Sequence, residues 1–151
     1  RLHTGAGPVS LQGFGQIRSQ RGDSSLDLFS LSACRTALGD SDSELGFAGL
    51  ALQAGARSAI GSLWYVDDLA TSAFFVQMYR YLEAGIPKAE AMQLTRRALL
   101  NGQIRLEGDR IQGAGGQPLL NGLNAAQRSL ATAGFSHPYF WAGIQLLGSP
   151  W

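Results

Sequence analysis

Cysteine is nearly missing from this chain of 151 residues: there is one, Cys34, beside two histidines, His3 and His137. A single cysteine excludes an internal disulfide framework and suits a reducing compartment, so a cytoplasmic location is expected. Charge is also sparse. Charged residues make up 15% of the chain and nearly cancel to +1, which gives no reason to expect nucleic acid or an anionic membrane as a partner. No apolar run approaches the roughly 18 residues that a membrane helix needs. The opening "RLHTGAGPVSLQGFG" lacks the basic head and apolar block of a signal peptide. No G-x-x-x-x-G-K-[ST] loop occurs, and no group of His, Cys, Asp and Glu has metal-ligand spacing, so neither a cofactor nor a metal is expected.

What is present describes a globular domain. Hydrophobic residues reach 45%, and a chain of this length can bury a real core. Residues 1–25 are rich in Gly, Ser and Gln and read as a turn-rich entry. "LDLFSLSA" (26–33) fits a buried central strand. A helix is expected through "ELGFAGLALQAG", stopped by Gly55, and "ARSAIGSLW" (56–64) is the next strand. "VDD" opens a helix whose Leu69, Phe74, Met78 and Leu82 recur at spacings near four, on one face. Gly85 ends it, and Pro87 stands where the helix "PKAEAMQLTRRALLNGQ" begins. Residues 104–127 are polar and glycine-rich and read as an irregular insertion. "WAGIQLLG" is the last strand. Strand, helix, strand, helix, helix, strand predicts an α/β sandwich with a mostly parallel sheet, all within a single domain spanning 1–151.

Cys34 ends the first buried run, in "DLFSLSACRTALGD". Open α/β sheets bind ligands just past the carboxyl ends of their strands, and Cys34 falls at such an end. Its backbone N–H would be free to face an oxyanion there. A lone cysteine is nevertheless among the most buried residue types, so by itself Cys34 fits a core thiol better than a nucleophile.

Four stretches reverse that balance. "DLFSLSACRTALGD", "GFAGLALQAGARSAIGSLWYVDDLAT", "PKAEAMQLTRRALL" and "SHPYFWAGIQLLG" resemble, in order, the motifs of the CHAT domain. This is a caspase-like cysteine peptidase family, related to separase and often found with tetratricopeptide repeats. The resemblance covers residue 26 to the C-terminus and implies a caspase-like three-layer sandwich. It also implies a Cys–His dyad with Cys34 as nucleophile, in which an imidazole draws the thiol toward thiolate and then protonates the leaving amine. In separase-like relatives an Asp in the "SLWYVDD" segment receives a basic substrate side chain. Asp68 matches it, with Trp64 as a candidate pocket wall; the bland alternative is that Asp67 and Asp68 cap a helix and Trp64 is core.

The histidine is the departure from the pattern. In caspase-like enzymes it lies roughly 50 residues before the cysteine and is followed by Gly. His3 stands too close, in "RLHTGAG", and is a weak candidate for the base. His137, in "SHPYFW", reads as a structural corner. The resemblance therefore implies a histidine on an upstream segment or a separate chain, and a chain that is N-terminally incomplete. The expected function is a cysteine endopeptidase that cleaves protein or peptide substrates after a basic residue. Its expected partners are the substrate, the fragment carrying the histidine and tetratricopeptide repeats. The alternative is a catalytically inactive interaction module on the same fold.

Overall fold

The computed structural model describes residues 2–4, 7–9, 25–31 and 46–151, with the backbone alone for 2–4, 7–9, 46, 47 and 50. The chain forms two compact units, Arg1–Trp64 with Ile144–Ser149, and Tyr65–Gly143 with Pro150–Trp151. Both are mixtures of helix and strand, so the chain is mixed α/β.

In the first unit, β1 (Leu2–Thr4) and β2 (Gly7–Val9) form an antiparallel hairpin within the expected turn-rich entry. A separate sheet is built on β4 (Ser58–Ser62), whose five residues are all buried. A strand buried on both faces has no reason to alternate in polarity, and "SAIGS" does not. On one side β4 pairs in parallel with β3 (Phe29–Ser30). On the other it pairs with β8 (Ile144–Gly148), antiparallel. The small residues of β4 admit α1 (Gly46–Gln53), itself small-faced. Ala48, Ala51, Ala56 and Ala59 form the contact, enclosed by Leu26, Phe29, Leu52 and Leu147. Gly148 stands where the β8 backbone nearly touches β4: its φ is +91°, and a Cβ there would meet the Arg57 carbonyl at 2.4 Å.

This sheet meets one expectation only in part. Among the described strands it is mixed, not mostly parallel. Ile144 starts opposite Ser62, at the carboxyl end of β4, so β8 can only run back along it.

The second unit begins with α2 (Asp68–Glu83) and α3 (Lys88–Leu100), which pack on each other. α2 buries Leu69, Ala70, Ala73, Phe74 and Met78, close to the expected face, while Leu82 stays half-buried. α3 contributes Ala91, Met92, Thr95, Ala98 and Leu99. Each large apolar side chain buried this way stabilises the unit by about 1.5–3 kcal/mol.

The segment expected to be an irregular insertion, 104–127, is instead ordered. It forms an antiparallel meander of β5 (Arg105–Glu107), β6 (Arg110–Gln112) and β7 (Pro118–Leu120). The meander buries Ile104, Ile111, Leu119 and Leu123. Only at the first strand does burial alternate visibly, with Ile104 and Leu106 turned inward and Arg105 and Glu107 exposed. Two side chains of α2 tie the meander down. Gln77, itself buried, accepts the Ala114 N–H at 2.9 Å, and Arg80 Nη2 donates to the Pro118 carbonyl at 2.7 Å. At Gly113 the backbone runs so close to α2 that a Cβ would meet Gln77 Oε1 at 2.5 Å. α4 (Ala125–Thr132), opened by a reciprocal Asn124–Gln127 capping box, packs against β5.

Candidate active site

The two parallel strands set the geometry of the candidate site. Phe29 stands opposite Ala59 and Ser30 opposite Ile60, and the pairing continues as the Leu31 N–H donates to the Ile60 carbonyl at 2.9 Å. Parallel strands release the chain over the same sheet edge. The chain therefore leaves β3 through Leu31 on the edge where β4 delivers Gly61–Trp64. Leu31 is the last described residue before Cys34, which lies outside the described residues.

Trp64 is half-buried, and its carbonyl accepts the hydroxyl of the buried Ser62 at 2.6 Å. That bond fixes the turn by which the chain leaves β4. Trp64 closes the first compact unit and Asp68 belongs to the second.

Asp67 and Asp68 have separate positions. Asp67 is the N-cap of α2: its Oδ1 accepts the Leu69 and Ala70 N–H groups, at 2.9 and 3.0 Å. These satisfy two of the donors that every helix start leaves open. Asp68 is the first helical residue and is exposed. Its carboxylate has no hydrogen bond or ion pair among the described residues. Capping thus occupies one carboxylate and leaves the other in solvent at the positive end of the helix dipole.

The two histidines sit in different settings. His3 lies in the middle of β1, opposite Pro8 of β2. His137 is exposed and caps a short 3-10 helix, Pro138–Phe140. Its Nδ1 accepts the Tyr139 N–H at 3.2 Å. The Trp141 indole N–H donates to the Ser136 carbonyl at 3.2 Å, and Phe140 meets Phe135 edge-on at 5.7 Å. His137 is a structural corner, as its "HPYFW" context predicts.

The resolved shifts in acidity lie on the two long helices. Burial pushes the Tyr81 phenol above its ordinary range and the Arg96 guanidinium below its own. Among the described residues no group of His, Cys, Asp and Glu could hold a metal ion, and no helix is long and apolar enough to cross a membrane.

Comparison with known families decides the wider assignment. The family model of the CHAT domain matches residues 5–149. The chain belongs to the CHAT domain family. No curated protein and no solved structure gives a match. In this CHAT domain the matched region takes in Cys34, Trp64, Asp68 and His137 together, while His3 lies just before it. Sequence reasoning passed over Gln77 and Arg80, the two side chains that hold the meander. Their signal was available: they are polar residues three apart, one of them on the apolar side of an otherwise clean amphipathic helix.

Proposed function

We propose that this CHAT domain is a cysteine endopeptidase that cleaves protein chains after Arg or Lys. The observation that carries the reading is the parallel β3–β4 pairing. It brings Leu31, three residues before Cys34, to the same edge of the sheet as the end of β4 before Trp64, the edge on which open α/β sheets place their ligands. The proposal includes a caspase-like three-layer sandwich, in which further parallel strands extend the sheet.

The Cys34 thiolate attacks the scissile carbonyl carbon, and the oxyanion that forms is held by the Cys34 N–H and a neighbouring backbone N–H. Collapse of the tetrahedral species breaks the C–N bond. The amine leaves with a proton from the imidazolium, and a thioester stays on Cys34. Water, deprotonated by the same imidazole, then attacks the thioester and releases the acid and the thiol. No cofactor enters the balance. The imidazole belongs to an upstream segment or a partner chain, with His3 the weaker assignment. Asp68 holds the basic side chain before the cleaved bond; its exposed, unengaged carboxylate supports that role.

An arginyl chloromethyl ketone, applied to the full-length protein, tests the reading. A peptidase is alkylated at Cys34 faster than by an alanyl analogue. Equal, slow alkylation by both reagents would assign the domain to the alternative, an inactive interaction module.

A further inference from the structure

The meander carries a cleft that takes no part in the proposed chemistry. It has a volume of about 400 Å³ and is lined by Gln103, Arg105, Glu107 and Gln112 and by the loop 113–116. The antiparallel register explains the composition. Arg105 stands opposite Gln112, and Glu107 opposite Arg110, so these side chains share one face of the sheet. Leu106 and Ile111 share the other, and Ile111 is fully buried. The side chains that β5 and β6 turn toward the cleft are thus polar. α4 packs against β5 but contributes nothing to the lining.

Two features distinguish this cleft from an ordinary solvated surface. The loop that walls it is fixed: Gln112 Nε2 donates to the Gly116 carbonyl, the Gly113 N–H donates to the Gln117 carbonyl, and Ala114 is held by the buried Gln77. The charges over it are also left open. Arg110 is paired with Asp109 at 3.8 Å, while Arg105 and Glu107 take part in no ion pair among the described residues. An exposed cation and an exposed anion, two residues apart on one strand face, are separated by about 7 Å along the strand.

That spacing selects the ligand. In an extended peptide, side chains two residues apart lie on one side and are also about 7 Å apart. We propose that the cleft is a recognition site for an extended peptide segment bearing an acidic and a basic side chain at positions i and i+2. Arg105 binds the acid through its guanidinium fork, Glu107 binds the base, and Gln103 with Gln112 offers amides to the peptide backbone between them. A free amino acid carries its two charges too close together to span the pair. The site belongs to the second compact unit and does not depend on the catalytic reading.

The test is an ¹⁵N-resolved NMR titration of the full chain with two peptides of equal composition, acetyl-Lys-Thr-Glu-Thr-Gln-amide and acetyl-Lys-Glu-Thr-Thr-Gln-amide. The first is expected to shift the amides of 103–107 and 112–116 and to bind about three- to fivefold more tightly. Arg105→Gln and Glu107→Gln, both at exposed positions, should each erase that difference while leaving thermal unfolding unchanged. Equal affinity for the two peptides, shifts outside the cleft, or a preference that survives both substitutions overturns the proposal.

Discussion

Asp67 and Asp68 are adjacent, identical in chemistry and opposite in use. Asp67 accepts two backbone N–H groups at the start of α2, and Asp68 accepts none of them. Asp67→Ala is therefore expected to cost about 1 kcal/mol in denaturant unfolding. Asp68→Asn should leave stability within about 0.5 kcal/mol, because it is exposed and removes no bond. In a cleavage assay, Asp68→Asn should lower the preference for Arg over Ala before the scissile bond by about 10–100-fold. An unchanged preference would remove Asp68 from the substrate pocket. Gly148 makes a second claim at this scale. Its backbone is left-handed at φ +91°, and an added Cβ would collide with the Arg57 carbonyl of the neighbouring chain segment. Gly148→Ala is expected to destabilise by about 2–4 kcal/mol, since backbone and not a flexible side chain must give way. A loss below about 0.5 kcal/mol would contradict that packing.

At the scale of elements, the long helices were legible because their apolar residues repeat at the helical period. Leu69, Phe74 and Met78 mark one face, and the face is buried. β4 and β8 were legible as short apolar runs between turn signals. The meander was not, because strands of three residues give a period-two pattern too little length to show. Nor could the sequence separate parallel from antiparallel pairing for β8, which depends on where the chain re-enters the sheet. The corner before β8 also belongs here. His137 Nδ1 caps the 3-10 turn, so His137→Ala should cost about 1 kcal/mol and leave cleavage intact. Loss of cleavage with stability unchanged would make His137 the base instead. α2 further predicts a pH effect. Burial raises the Tyr81 pKa above its unfolded value, so the folded state favours the neutral phenol. That contribution is fully present below about pH 10 and fades as the pH climbs through the raised value. Tyr81→Phe should shift the alkaline unfolding midpoint upward. A midpoint that stays put would show that this phenol does not limit alkaline stability.

For the whole molecule, family membership came from four motifs in order rather than from any one residue. "LSAC" alone favoured a core thiol, and the downstream "SLWYVDD" and "HPYFWAG" changed the reading. Membership over residues 5–149 bears the resemblance out. Cys34 itself lies outside the described residues, so its role rests on the paired strands that lead to it. The histidine was the part least legible in the sequence, because neither "RLHTGAG" nor "SHPYFW" matches the family's His–Gly position; His137 caps a 3-10 turn and His3 lies opposite Pro8. The most direct test of the central claim is cleavage of an Arg-containing peptide by the full-length protein and by Cys34→Ala. The account predicts cleavage on the carboxyl side of Arg by the wild type and a loss of at least about 10³-fold in the variant. Cleavage that survives Cys34→Ala would contradict it.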